Sequence, residues 1–207
     1  FFLVVVGGGF IDLGAQLGGG FDQDRASISL RTLSRAAVRE QALFIMAKVL
    51  QHPLYTPEIL AREKARVVDG LKEAATKPEN IADRAFQKAV YGTHPYALPV
   101  SGDVATVEGV TVQDLQDFYH AHYNANRAVV AIMGDVTRAQ AEAIAEQLTV
   151  DMPKADAPPM LPEVTRHITA SEQRIAHPAT QSHILLGVPG MSRSDPDYFP
   201  LYVGNYI

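Results

Sequence analysis

The chain has 207 residues, of which 47% are hydrophobic and 20% are charged, a composition typical of a folded globular protein with one large or two smaller packed units. Its formal net charge is −5, and its 18 lysines and arginines are scattered along the sequence, which argues against a nucleic-acid partner. It contains no cysteine, which excludes disulfides, thiolate metal sites and cysteine nucleophiles.

Five segments are predicted to be strands. The opening apolar run, Phe1–Val6, is too short to cross a membrane and predicts a buried strand. Apolar and polar residues alternate from Ala26 to Leu30, the period of a half-buried strand. Ala128–Met133 is almost continuously apolar, which predicts a strand buried on both faces. Two later segments, Val164–Ser171 and Ser182–Val188, complete the set.

Helices are predicted where apolar residues recur at helical spacing. Thr56 before Pro57 is a strong start signal, because it joins a capping side chain to a proline in the first turn. Thr111 and Thr137 are predicted to cap two later helices. The predicted helices contain residues 38–49, 58–75, 81–89, 112–122 and 138–148, and a last one opens at Asp195.

The prolines at positions 153, 158, 159 and 162 give residues 151–163 the composition of an extended linker. We place a domain boundary there, with residues 1–150 forming most of a first unit and residues 164–207 the start of a second. The sequence has no initiating Met and stops inside a predicted helix, so we expect it to be a piece of a longer protein.

Two groups of glycines, Gly7–Gly9 and Gly18–Gly20, are candidates for ligand-binding loops. Gly7–Gly9 follows an apolar run, but a dinucleotide fingerprint starting at Gly7 needs a glycine where Asp12 stands, and no Gly-Lys-Ser/Thr follows. Nucleotide binding is therefore disfavoured. Gly18–Gly20 is more consistent with a tight turn or the close approach of another backbone.

The chain has seven histidines, and only His120 and His122 lie close together in sequence. Two residues apart on a helix, their side chains point to roughly opposite sides and cannot chelate one ion. His122 is expected to be at least half-buried in the core. His94 and His177 each precede a proline and are expected in loops or turns. A zinc site assembled from residues distant in sequence is the open alternative.

The helix at Glu63–Pro78 and the segment Leu13–Gly20, followed by Asp24, belong to a longer ordered set of motifs. The further members are His94–Gly102, Thr111–Tyr119, Tyr123–Asn126, Val129–Asp135, Pro178–Gly187 and Asp195–Tyr198. In this order and spacing, the set resembles the pitrilysin/insulinase zinc metallopeptidases, the family that includes the mitochondrial processing peptidases. No single motif carries the resemblance.

The resemblance implies an α+β fold, with an antiparallel β-sheet and helices packed on one face, as in a processing peptidase-like half-domain. Catalytic members of the family bind zinc through a His-x-x-Glu-His helix and through the second acid of a Glu-x6-Glu spacing on the next long helix. Here Glu63 matches the first acid, and Gly70 stands at the ligand position. No His-x-x-Glu-His occurs in the sequence. We therefore regard Glu63 and Gly70 as vestigial metal-site positions and expect no catalytic residue, metal ligand or cofactor in this chain.

The favoured hypothesis is a noncatalytic homologue or subunit that helps to enclose or bind peptides for a catalytic partner, either a peptidase homologue or a second copy. Gly18, Gly19, Gly20 and Phe21 are the candidate peptide-binding residues, because a glycine edge can admit an extended peptide through main-chain hydrogen bonds. The equal alternative is that these glycines only turn the chain. Two other functions stay open: an active zinc endopeptidase whose metal site lies outside this chain, and a purely structural subunit.

Overall fold

The computed structural model describes residues 7–157, 159–165 and 169–206. The described helices are α1 (Gly7–Ile11), α2 (Ala36–Gln51), α3 (Pro57–Ala74), α4 (Pro78–Tyr91), α5 (Val104–Gly109), α6 (Val112–His122), α7 (Arg138–Thr149) and α8 (Tyr198–Gly204). One antiparallel sheet accompanies them, formed by β1 (Gln16–Phe21) and β2 (Ala26–Arg31). Within the described ranges, no helix is both long and apolar enough to span a membrane.

The helix starts follow the predicted capping residues. The Thr111 hydroxyl accepts from the Asp114 N–H at 3.1 Å, and the Asp114 carboxylate accepts from the Thr111 N–H at 2.7 Å, which closes a capping box at the start of α6. Thr137 caps α7 in the same way. At the start of α3, the Thr56 hydroxyl accepts from the Ile59 N–H at 3.3 Å. These local signals are confirmed.

The chain divides into two compact units. The first contains the residues up to Asp69 together with Asp103–Pro159, and the second contains Gly70–Gly102 together with the residues from Met160 onward. The chain passes from one unit to the other at three places. The boundary after Pro159 falls inside the predicted linker, whereas the boundaries at Gly70 and Asp103 fall inside the predicted first unit. The predicted division into 1–150 and 164–207 stays a prediction.

The core of the first unit is built around α2. Its buried apolar residues are Phe10, Ala15, Ala42, Leu43, Met46, Ala47 and Leu148. The C-terminal end of α2 is held by hydrogen bonds to two other helices. Tyr119 of α6 donates its hydroxyl to the Leu50 carbonyl at 2.7 Å, and the Gln51 side chain donates to the Gln147 carbonyl of α7 at 2.7 Å. The hairpin packs on this core through one face only.

The second unit is organised around α4 and a 3₁₀ turn, Pro95–Ala97. Val90 near the end of α4 and His94 before the turn are both buried. Residues 182–188 run beside α4, since a side-chain carbon at Gly187 would lie 2.9 Å from the Phe86 ring. His183 lies 3.9 Å from the Glu79 carboxylate on the same helix.

The α+β class is confirmed, but most predicted strands are not strands in the described residues. Ala128–Met133 is unpaired there, with Val129 and Met133 94% and 98% exposed. Ser182–Val188 is likewise unpaired, and so are the described residues of Val164–Ser171. The predicted strand Phe1–Val6 lies outside the described residues. An apolar run predicts burial, but a strand also needs a partner strand, and none pairs with these segments among the residues that the structure describes.

Candidate functional site

The strand β1 carries the predicted peptide-binding residues, and its glycines face close neighbours on β2. Gly18 lies opposite Ser29, and Gly20 lies opposite Ser27. A side-chain carbon at Gly18 would be 2.8 Å from the Ser29 hydroxyl, which is closer than such atoms approach in proteins. A side chain at position 18 would therefore require the Ser29 hydroxyl to rotate away.

The hairpin has one face on the core and one in solvent. Leu17, Ile28 and Leu30 pack against the core of the first unit. Because side chains alternate along a strand, Gly18, Gly20 and their serine partners occupy the other face. Phe21, at the end of β1, is 67% exposed. The solvent face of the hairpin is thus glycine and serine, whereas Phe21 lies on the same face as Leu17 and is exposed because it stands at the end of the strand, beyond the core.

A structured turn follows Phe21. One Asp22 carboxylate oxygen accepts from the N–H groups of Asp24 and Arg25, and the other accepts from the Arg25 Nε at 2.9 Å. The Asp24 N–H, followed by the Arg25 guanidinium, lowers the pKa of Asp22 below its ordinary value. A cavity of about 430 Å³ lies at this turn, lined by Gly20, Phe21, Asp22, Arg25 and Ser27.

The outer edge of β1 presents main-chain groups. The Asp22 N–H donates to the Arg25 carbonyl at 2.9 Å, and hydrogen-bonded pairs alternate along an antiparallel ladder. Gly18 and Gly20 therefore point their main-chain groups toward β2, whereas Leu17, Gly19 and Phe21 point theirs to the outer edge. Within the part of the chain that the structure describes, β1 pairs with β2 alone. This edge can accept one more strand.

Glu63, the first of the two positions predicted to be vestigial metal-site residues, lies on α3 and is 2% exposed. One of its carboxylate oxygens accepts from the Arg66 Nε at 2.9 Å and the other from the Arg62 Nε at 3.3 Å. The hydrogen bond from Arg66 is the main cause that lowers the pKa of Glu63; Arg62 adds to it, and burial opposes it. The carboxylate is ionised at neutral pH, and both oxygens are already occupied by guanidinium donors.

Gly70, the second of the two predicted positions, lies two turns further along α3 and is exposed. A side-chain carbon there would have no atom within 4 Å. In the described ranges, no three His, Cys, Asp or Glu residues come together in a way that could hold a metal ion. The residues at Glu63 and Gly70 do not fit a zinc ion, because one is paired with arginines and the other has no donor atom.

One histidine differs from the sequence prediction and another agrees with it. His122, predicted in the core, is exposed and lies against the exposed Phe118 ring at a centroid distance of 4.5 Å, while Tyr119 takes the buried position on α6. His94, predicted as a loop or turn histidine, lies in the turn before Pro95–Ala97 and is 8% exposed there. The signal for its burial was the flanking Tyr91 and Tyr96, whose rings lie 6.3 Å and 4.8 Å from the His94 ring.

The sequence and the structure of this chain were both compared with those of known proteins, and both match one peptidase family. The model of the peptidase M16 inactive domain matches residues 109–207. A crystal structure of a peptidase M16 inactive domain from Pseudomonas fluorescens has a TM-score of 0.75 to this chain at 35% sequence identity, covering 78% of this chain and 39% of that one. The chain belongs to the M16 peptidase family. The resemblance drawn from the ordered motifs is confirmed.

Curated relatives of this M16 chain include zinc proteases and processing peptidase subunits. An uncharacterized zinc protease of Streptomyces coelicolor is 24% identical over 163 residues, which cover 74% of this chain and 35% of the relative. A probable mitochondrial-processing peptidase subunit beta of Arabidopsis thaliana is 23% identical over 198 residues, 93% of this chain and 36% of the relative. The M16 chain thus spans little more than a third of these relatives. The family model begins at residue 109, so Gly18–Phe21, Glu63 and Gly70 lie outside the residues that it matches.

Proposed function

We propose that this M16 chain is a noncatalytic part of a zinc metalloendopeptidase and that it helps to enclose or bind peptide substrates for a catalytic partner. The matching family model is that of an inactive domain. Gly70 supplies no donor atom at the ligand position, and Glu63 is bonded to two arginines. The chain's own residues therefore support a role in binding rather than in hydrolysis.

The outer edge of β1 is the observation that carries the binding role. Its outward main-chain groups at Leu17, Gly19 and Phe21 match the hydrogen-bonding pattern of an extended peptide. Gly19 brings no side chain to this edge, and the exposed Phe21 ring offers apolar contact at one end. A peptide added here would extend the hairpin to three strands, with main-chain bonds giving affinity that depends little on sequence.

The catalytic partner would be a peptidase homologue or a second copy of the full-length protein. One relative is named as the beta subunit of a processing peptidase, which is a precedent for function within an assembly. A pull-down of peptidase activity by the full-length protein tests this point. A protein that hydrolyses peptides alone, with about one zinc per chain, would instead support the active-enzyme alternative.

Proline substitutions at matched positions test the β1 edge. Gly19→Pro removes an outward N–H of β1, whereas Ala26→Pro removes an outward N–H of β2, on the opposite edge of the hairpin. Binding of a fluorescent unstructured peptide is measured by anisotropy. Gly19→Pro is expected to weaken binding about tenfold, the value of roughly one main-chain hydrogen bond, and Ala26→Pro is expected to leave it unchanged.

Two results would contradict this assignment. Equal effects of the two substitutions would show that the β1 edge is not the binding surface. No binding by the unchanged protein would favour the purely structural subunit. Far-ultraviolet circular dichroism of each variant shows whether the hairpin and helices still fold.

A further inference from the structure

The solvent face of the hairpin carries a row of hydrogen-bond donors along β2. Ile28 and Leu30 pack on the core, so the alternating residues Ser27, Ser29 and Arg31 occupy the opposite face of the strand. All three are exposed. Hydroxyl and guanidinium groups both donate hydrogen bonds, and β2 contains no acidic residue. This strand therefore presents donors and one positive charge to solvent.

The positive charge of Arg31 is not neutralised by a neighbouring acid. Within the described ranges, Arg31 takes part in none of the ion pairs, and its neighbour across the hairpin is the neutral Gln16. At the other end of the hairpin, the Arg25 Nε donates to the Asp22 carboxylate at 2.9 Å. The unneutralised charge of the solvent face therefore lies at the Gln16 end.

Gly18 leaves the space between this donor row and the outer edge of β1 without a side chain of its own. The Ser29 hydroxyl reaches into that space, since it lies 2.8 Å from the position of an added carbon at Gly18. A strand added antiparallel at the outer edge would place one residue opposite Gly18, in a pair whose Cα atoms are about 4.5 Å apart. The side chain of that residue can extend across the glycine toward Ser29 and Arg31.

We propose that the outer edge of β1 prefers peptides with an acidic side chain, which lies opposite Gly18 and binds the Ser29 hydroxyl and the Arg31 guanidinium. This inference rests on the proposed function, because it requires an extended peptide on β1. A carboxylate accepts hydrogen bonds from both groups, whereas a basic side chain would meet Arg31 as a like charge. A neutral peptide still forms the main-chain bonds, so the acid adds selectivity to them.

Three fluorescent unstructured peptides test the preference with the full-length protein. They are identical except that Glu, Gln or Lys stands at alternate positions, so that one register places this residue opposite Gly18. Anisotropy at low ionic strength is expected to show the Glu peptide binding about three- to fivefold more tightly than the Gln peptide, the effect of one exposed ion pair. The Lys peptide is expected to bind more weakly than the Gln peptide. Salt at about 0.5 M is expected to reduce both differences.

Substitutions of single arginines locate the selectivity. Arg31→Gln is expected to remove the difference between the Glu and Gln peptides, and Arg31→Lys is expected to keep most of it, because the charge remains. Arg127→Gln is the matched control: it removes the same charge from an exposed arginine outside the hairpin and is expected to keep the full difference. Comparing two peptides on each variant isolates the pairwise contribution from any general loss of affinity.

The acidic preference is overturned if the three peptides bind equally, if Arg31→Gln keeps the difference, or if Arg127→Gln abolishes it. Equal binding that Gly19→Pro still weakens would leave the proposed function standing and remove only the preference. Absence of binding by all three peptides would overturn both. Circular dichroism checks that each variant folds, and if Arg31→Gln does not, the three peptides with the unchanged protein still decide the proposal.

Discussion

Replacing Gly70 by alanine is expected to stabilise the protein. Gly70 lies inside α3, is exposed, and has no atom within 4 Å of the position that a side-chain carbon would take. A metal ligand at position 70 would be held by the metal ion and its other ligands, but no neighbouring group contacts this position of α3. The glycine therefore only lowers the stability of the helix, because it costs more backbone entropy on folding than alanine does.

The magnitude follows from helix propensity. Glycine in an exposed helix interior is less favourable than alanine by about 0.5–1 kcal/mol. With an m-value of about 2 kcal/mol per molar urea, Gly70→Ala is expected to raise the urea midpoint by about 0.25–0.5 M without changing the slope. The far-ultraviolet circular dichroism signal of the transition that includes α3 gives this midpoint.

Gly92 supplies the matched control, because the same substitution should have the opposite sign there. It also has no atom within 4 Å of the added carbon, but its φ is +58°, in the region that favours glycine. Gly92→Ala is therefore expected to cost about 1–2 kcal/mol through the backbone alone. If Gly70→Ala lowers the midpoint, or if both substitutions shift it in the same direction, the argument from open space and backbone angle is wrong.

Two further substitutions test single interactions. Glu63→Gln is expected to cost about 1–2 kcal/mol at neutral pH, a value kept low because Arg62 and Arg66 are more than half exposed. Because the folded-state pKa of Glu63 is lowered, the stability that its ion pairs contribute is complete above the ordinary pKa of about 4.5 and is lost as the pH falls below it. The urea midpoints of the unchanged protein and of Glu63→Gln should therefore converge in acid. A difference between the two midpoints that persists in acid would exclude the ion pairs as the cause of the destabilisation. Tyr119→Phe removes the hydroxyl that donates to the Leu50 and Gln51 carbonyls and is expected to cost about 1 kcal/mol in the same assay, whereas an unchanged midpoint would mean that water replaces the bonds.

The helices were predictable because their signals are local. Thr56-Pro57, Thr111 and Thr137 each cap a helix through bonds within three residues, which sequence spacing alone encodes. The half-buried strand at residues 26–31 was predictable for the same reason, since alternation records which side chains face the core. Its pairing with β1 places Gly18 against Ser29, a contact that follows from register and not from either strand alone.

The failed predictions concern contacts between distant residues. Ala128–Met133 has the composition of a buried strand, but in the described structure Val129 and Met133 are almost fully exposed, because composition does not state whether a partner strand is present. His94 lies in the predicted turn, but its contact with Pro162 joins positions 68 residues apart, which the turn signal does not encode. His122 was assigned to the core by helical spacing and is exposed, whereas Tyr119 on the same helix is buried.

The noncatalytic reading of α3 rests on two independent losses. Gly70 removes the donor that would bind a metal, and the two arginines take both oxygens of Glu63, the acid that remains. A carboxylate that already accepts from two guanidinium groups must break those bonds before it can orient anything else, so restoring a donor at position 70 alone would not restore the surroundings of a metal site. The family model begins at residue 109 and does not include α3. That α3 has no catalytic role is therefore inferred from its own side chains and not from the family model. On α3, Gly70 thus supplies no donor atom, and the Glu63 oxygens already accept hydrogen bonds from arginine.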